Sequence, residues 1–320
     1  MSIDELKAAF PKPDQLAPAD IEAKAEALGV SKTKMSFKQS FMLSIMAGAF
    51  ISMGAMFFLL IVSDLALPFA AQRLIGGCLF SLGLLLVVVC GAELFTGNTM
   101  IVMSAASKKI SWSAVLKNWV VVFLGNFVGS LIMVGLVFLS NYQGMNGGAV
   151  GTTIVSVAAG KMSPDWLTLF AKGIMCNFLV CLAVWIAYGS KTVADKMLGI
   201  LLPIAAFVAC GFEHCVANMF FLPFGILLAS VGIAPAGIDP STVSWAGALW
   251  NWSASVPGNI VGGALFVGMA YWIAYHKKSS NPTLRNYKKH CHIHASRLNS
   301  APFRKSHQAF APVDRNILRH

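Results

Sequence analysis

Uncharged and mostly apolar runs cover residues 39–63, 74–92, 118–160, 173–190, 197–212, 214–238 and 240–276. A bilayer core of ~30 Å is crossed by about 20 residues of helix, and several of these runs reach that length. The pattern predicts spans at 40–63, 72–107, 112–139, 165–189, 197–230 and 246–276. The expected class is an all-α integral membrane protein with six transmembrane helices. The second and fifth spans are too long for one simple crossing, and both are interrupted. Span two breaks around Gly91-Ala92-Glu93-Leu94-Phe95-Thr96-Gly97-Asn98, and span five around Gly211-Phe212-Glu213-His214-Cys215-Val216-Ala217-Asn218. Glycine and charge inside an apolar run predict unwound backbone, buried in protein or facing a cavity. Three regions follow: a charged, helix-prone amphipathic segment at 1–36, a six-span domain at 37–276, and a tail at 277–320. No short cleavable signal is expected ahead of the first span, which serves as its own insertion signal.

Two motifs recur in the same order. Gly91-x-Glu93-x-x-x-x-Asn98 returns as Gly211-x-Glu213-x-x-x-x-Asn218. Asn118-Trp119 followed by Gly125-Asn126-x-x-Gly129 returns as Asn251-Trp252 followed by Gly258-Asn259-x-x-Gly262. Each unit holds three spans, and an odd number turns the second copy upside down. Inverted repeats of three plus three with paired broken helices mark channels and transporters, with the site at mid-membrane. The half-helices after the breaks, near 98–107 and 217–230, begin at the midplane. Their N-termini carry partial positive charge and unpaired N–H groups. Two such ends converging on the centre favour an anion.

Charge refines this picture. Charged residues make up 12% of the chain, about half the usual share for a soluble domain. The net charge of +11 is concentrated in the tail, where ten Lys/Arg face one acid, Asp314. The tail reads as a solvated, disordered cytoplasmic segment; contact with anionic lipid headgroups or nucleic acid is the other reading. Its His290, Cys291, His292 and His294 are poor grounds for a functional metal site without a fold around them. Lys108, Lys109 and Lys117 follow span two, and Lys191 and Lys196 follow span four, against Arg73 and Lys161 in the other loops. That bias places both termini in the cytoplasm. The seven cysteines read as small packing residues without disulfides.

His214 is the histidine deep within the spans; His276 closes the sixth. A buried ionisable group in a repeat-marked break is a functional candidate, able to pass a proton to an anion. A buried histidine that only satisfies a backbone carbonyl is the plainer reading. The Thr96 hydroxyl donates to an anion or to His214, or caps the half-helix that follows. Glu93 and Glu213 read as structural acceptors of loosened backbone N–H groups, each in its own break with Asn98 or Asn218; paired acid–base carboxylates are the alternative. Lys161 and Lys172, on the outer side of span four, attract anions into a vestibule; a solvated loop lysine and a snorkelling lysine are the bland readings. Phe80, Leu84, Leu94, Val180 and Phe207 are packing residues by spacing alone. Gly125/Gly129 and Gly258/Gly262 permit close helix approach, with Asn126 and Asn259 bonding between helices. Neither G-x-x-x-x-G-K-[ST] nor H-E-x-x-H occurs, which argues against an intramembrane enzyme. The breaks lack paired Asn-Pro-Ala, which argues against a water or glycerol pore.

Gly91-Ala92-Glu93-Leu94-Phe95-Thr96-Gly97, the run Gly173–Ala183, and Gly211-Phe212-Glu213-His214 with Ala217-Asn218 resemble the signatures of the formate/nitrite transporter family. The resemblance covers roughly 20–276. It implies a homopentamer of aquaporin-like protomers in a bacterial inner membrane, each with its own pore for a small anion and without a cofactor. It makes His214 the central histidine and Thr96 its partner. Phe80, Leu84, Leu94 and Phe207 become constriction residues, Val180 and Asn177 lie near the pore, and Lys161 is a vestibule lysine. It also links the 1–36 segment to pH gating. Glu26-Ala27-Leu28-Gly29-Val30 is most similar to the formate channel, whereas Thr96-Gly97-Asn98-Thr99 and Lys172-Gly173 resemble the nitrite channel; hydrosulfide is a further possible cargo.

Overall fold

The structure is a computed structural model, and it describes residues 16–276. The tail at 277–320, with its His290, Cys291, His292 and His294, lies outside these residues, as does the beginning of the 1–36 segment. Among the described residues the regular structure is helical throughout. Helix α1 is Pro18–Lys34, α2 is Phe37–Val62 and α3 is Phe69–Cys90. After a break come α4 (Phe95–Asn98), a 3₁₀ turn at Thr99–Ile101 and α5 (Val102–Ala106). Helices α6 (Trp112–Leu139), α7 (Ala149–Met162) and α8 (Trp166–Gly189) follow. Then come α9 (Val193–Ala209), a second break and α10 (Cys215–Ser230). The last helix is α11 (Trp245–Ile260), a π-helical stretch at Val261–Met269, and α12 (Ala270–Tyr275).

Among the described residues five helices are long and apolar enough to cross a membrane: α2, α3, α6, α8 and the continuous stretch Trp245–Tyr275. Cys215–Ser230 is a shorter apolar helix. The span predicted at 112–139 coincides with α6, and that at 165–189 with α8 to within one residue. Helix α7 was not expected. It begins inside the uncharged run 118–160, which periodicity could not divide, and Gly147 and Gly148 at positive φ lead into it. It packs on α10, where a Cβ on Gly225 would meet the Ala158 Cβ at 2.3 Å.

Small residues set the closest approaches. A Cβ on Gly129 would stand 2.0 Å from the Ile45 carbonyl oxygen, and one on Gly262 would stand 2.3 Å from that of Ile174. The small-xxx-small pairs thus press α6 onto α2, and α11 with its π-helical continuation onto α8, in matching fashion in the two copies. Ser36, Ser111, Asp165 and Ser244 cap α2, α6, α8 and α11 through their side chains.

Helix α1 docks through Ile21, Glu22, Ala25, Glu26 and Gly29, all buried. Burial would raise the Glu26 carboxyl, but hydrogen bonds from Lys109 and Ser107 hold it below its ordinary value. Burial first, and Glu26 beside it second, push the Glu22 carboxyl up to about 7.

Candidate functional site

The two breaks are built alike. Helix α3 ends at Cys90 with Gly91 at φ 77°, and α9 ends at Ala209, Cys210 capping it, with Gly211 at φ 71°. Only glycine takes that conformation without strain. Extended residues then lead into α4 and α10, which start at 95 and 215, slightly earlier than the half-helices expected near 98 and 217.

Asn126 and Asn259 hold the breaks open. The Asn126 side chain accepts from the Phe95 N–H (2.9 Å) and donates to the carbonyls of Glu93 (2.9 Å) and Ser44 (2.8 Å). Asn259 accepts from the Cys215 N–H (2.9 Å) and donates to the carbonyls of Glu213 and Gly173 (2.8 Å each). Each asparagine satisfies one N–H and one carbonyl that the missing helical turn releases, and its third bond ties the break to a carbonyl of the neighbouring helix, α2 or α8.

Glu93 and Glu213 were expected to accept from that loosened backbone. Their carboxylates instead accept from side chains. Glu93 takes Lys32 Nζ at 2.6 Å and Asn98 Nδ2 at 2.7 Å. Glu213 takes Lys161 Nζ at 3.1 Å, Asn218 Nδ2 at 2.7 Å and Asn251 Nδ2 at 3.1 Å. The asparagines of the breaks already satisfy the backbone, so the carboxylates are free to hold a lysine each. Asn98 and Asn218 also donate to Asn118 and Asn251, and Trp119 and Trp252 donate to the carbonyls of Asn98 and Cys215.

Thr96 and His214 meet at the centre, Oγ1 to Nε2 at 3.0 Å, and both are buried. His214 sits at the N-cap of α10, where its Nδ1 accepts the Ala217 N–H at 2.9 Å. A nitrogen that accepts carries no proton, so the neutral ring holds its proton on Nε2. Nε2–H therefore donates to Thr96, and the Thr96 O–H is left as a donor for something else. The capping role considered for Thr96 falls to His214; Leu94 occupies the other N-cap without a side-chain bond. Behind Thr96, Asn177 Nδ2 donates to the Thr96 carbonyl (3.2 Å), to Thr99 Oγ1 (3.1 Å) and to the Asn259 carbonyl (2.7 Å). Val180 is buried in the same apolar cluster.

Two cavities approach this centre. One of about 200 Å³ is lined by Phe80, Phe207, His214, Lys161, Lys172, Arg73 and Glu213 among others. The other, about 330 Å³, is lined by Leu84, Leu94, Asn98, Lys24, Lys32, Lys196 and Glu93 among others. Each has three basic side chains and one carboxylate on its wall, a positive balance that concentrates anions. Phe80 and Phe207 meet edge to face at 5.7 Å, and Phe207 stacks on the His214 ring at 5.8 Å. Sequence reasoning used Arg73 only for orientation and passed over Lys32. Arg73 donates to the carbonyls of Val208 (2.6 Å) and Ala209 (3.1 Å) at the end of α9. Lys32 had a signal: it stands five residues before α2 begins, as Lys161 stands five before α8.

The family model described as formate/nitrite transporter matches residues 19–273. The chain belongs to the formate/nitrite transporter family. A relative in this family, the formate channel FocA of Escherichia coli (strain K12), is 38% identical over 283 residues, covering 84% of this chain and 97% of that protein. Among solved structures, a pentameric formate channel with formate bound matches with a TM-score of 0.70 at 38% identity, covering 75% of this chain and 98% of that one. A structure described as an FNT family ion channel matches with a TM-score of 0.69 at 30% identity, covering 80% and 98%. Formate/nitrite transporters are membrane transport proteins, in keeping with the apolar helices.

Proposed function

We propose that this protein conducts formate, a small monovalent anion, across a bacterial inner membrane as a homopentamer, one pore per protomer, surrounded by lipid. Six crossings form an inverted repeat, with α3–α5 and α9–α10 as the broken second and fifth. Both termini are cytoplasmic. The second cavity, beside α1, then opens to the cytoplasm, and the first opens outward. The observation that carries the reading is the Thr96–His214 hydrogen bond between two cavities of positive balance.

Lysines and Arg73 gather anions at either mouth. Phe80 and Phe207 on one side and Leu84 and Leu94 on the other strip water, since a bare ion in an apolar ring is costly. Asn177 and Val180 back the centre. There the Thr96 O–H donates to the anion. His214 Nε2–H donates to the Thr96 oxygen, so the hydroxyl proton is free to point at the anion. A proton relay through His214 is the finer part of the reading. The neutral ring takes a second proton from cavity water at Nδ1, which breaks the cap to Ala217. The Nε2 proton then passes to Thr96 Oγ1 as the Thr96 O–H proton passes to the anion, which leaves through the apolar ring as a neutral acid. The ring, left with its proton on Nδ1, returns to its Nε2–H tautomer by exchange with cavity water. Glu93, Glu213, Asn98 and Asn218 hold the breaks, and α1 takes part in pH gating.

The test is formate and nitrite flux into proteoliposomes across pH, with unmodified protein and His214→Ala. Formate flux whose pH dependence vanishes with His214 supports the reading. Unchanged pH dependence removes the relay and leaves hydrogen-bond donation. Nitrite or hydrosulfide flux without formate moves the cargo, and no anion flux removes the reading altogether.

A further inference from the structure

Helix α1 meets the end of the last membrane helix at a cluster that the transport pathway does not use. Glu22 and Glu26, one turn apart on α1, are 3% and 1% exposed. His276 faces both: its Nδ1 lies 3.0 Å from Glu26 Oε1 and 3.6 Å from Glu22 Oε1. The three ligand atoms lie within 4.8 Å of one another.

Glu22 Oε1 is buried and has no hydrogen-bond partner among the described residues. That same oxygen is the one turned toward His276. Leaving a buried carboxylate oxygen bare is costly; a proton shared with Glu26, or a cation that displaces it, relieves that cost. Lys109 is not that cation, because its ammonium sits on the other oxygen of Glu26. Ligand atoms about 2.0–2.2 Å from a tetrahedral ion stand roughly 3.3–3.6 Å apart, and the two distances from Nδ1 bracket that range.

We propose that Glu22, Glu26 and His276 bind one divalent transition-metal cation of the zinc class, tying α1 to the end of the last membrane helix. One imidazole nitrogen and two carboxylate oxygens suit a borderline ion such as Zn²⁺ better than Ca²⁺ or Mg²⁺, which prefer oxygen ligands throughout. Outer partners are in place. Lys109 and Ser107 hold Glu26, and the Trp272 indole donates to Ser107 at 2.7 Å while its ring stacks on His276 at 5.0 Å. Such partners orient metal ligands, and His276, at 25% side-chain exposure, leaves an entry path.

The test is zinc titration of the full chain, freed of metal, in detergent. His290, Cys291, His292 and His294 are all changed to serine so that the tail does not compete. Calorimetry counts the ions, and tryptophan fluorescence with Cu²⁺ as quencher reports Trp272. The expected result is one Zn²⁺ per chain at micromolar concentration, weakened at least tenfold by Glu22→Gln and by His276→Gln, with Cu²⁺ quenching lost in both. If Glu22→Gln fails to fold by circular dichroism, His276→Gln, at the partly exposed ligand, decides. Absence of binding below millimolar zinc overturns the assignment. So does binding that both variants leave unchanged, or Ca²⁺ or Mg²⁺ binding equally well.

Discussion

The Lys32 ammonium lies 2.6 Å from the Glu93 carboxylate, 61 residues away in the chain. Lys161 stands in the same relation to Glu213 in the second copy. In both, a helix preceding the repeat unit reaches over to neutralise a carboxylate in the break. Removing one partner of a buried ion pair costs roughly 3–5 kcal/mol, because the remaining charge is left bare. The lysines are partly solvated, so Lys161→Met should cost less, about 2–3 kcal/mol. Glu213→Gln in the same chain should restore most of it. Thermal unfolding in detergent of the two single variants and the double variant measures the coupling, and additive losses would show that the pair does not act as one.

Thr96→Val keeps the shape of the side chain and deletes the donor aimed at the passing anion. A hydrogen bond to a charged group contributes about 1.5–3 kcal/mol, so formate flux should fall roughly 10- to 100-fold. Thr96→Ser should keep most of it. Initial rates in proteoliposomes check this; equal rates for valine and serine would mean the hydroxyl has no part in conduction.

Asn259→Ala leaves the Cys215 N–H and the Glu213 carbonyl without partners in a buried break and cuts the tie to the Gly173 carbonyl of α8. Each orphaned group costs about 1–3 kcal/mol. The variant should lose thermal stability by at least that amount, and Asn126→Ala should do the same in the first break. A melting temperature within error of the unmodified protein would contradict the bracing role.

Gly263 tests the support behind Thr96. A Cβ there would stand 2.1 Å from Thr99 Oγ1, 2.4 Å from Asn177 Nδ2 and 2.7 Å from Cys181 Sγ. Gly263→Ala should displace Asn177 and Thr99, lowering both stability and flux. At Gly135, within α6, a Cβ meets nothing within 4 Å. Gly135→Ala should therefore be neutral or stabilising, by up to about 1 kcal/mol. Comparing the two by melting and by transport separates a local clash from a general intolerance of alanine.

Hydrophobic runs by themselves determined the long helices, since burying backbone in hydrocarbon requires every N–H and C=O to be paired within the helix. The span at 112–139 was readable to the residue. The matched Gly-x-Glu-x-x-x-x-Asn motifs located both breaks, because only glycine turns a helix end through positive φ without strain. Other features depended on contacts between distant parts of the chain. Helix α7 was hidden in a run of uniform polarity, where only packing on α10 defines an edge. Lys32 looked like one more charge in a charged segment until folding carried α1 to the first break. The proton position on His214 is set by the Ala217 N–H on one side and Thr96, 118 residues away, on the other. Apolar pattern is a local property of the chain and can be read along it; the partner of a buried polar atom is chosen in three dimensions, and only the tertiary structure decides it.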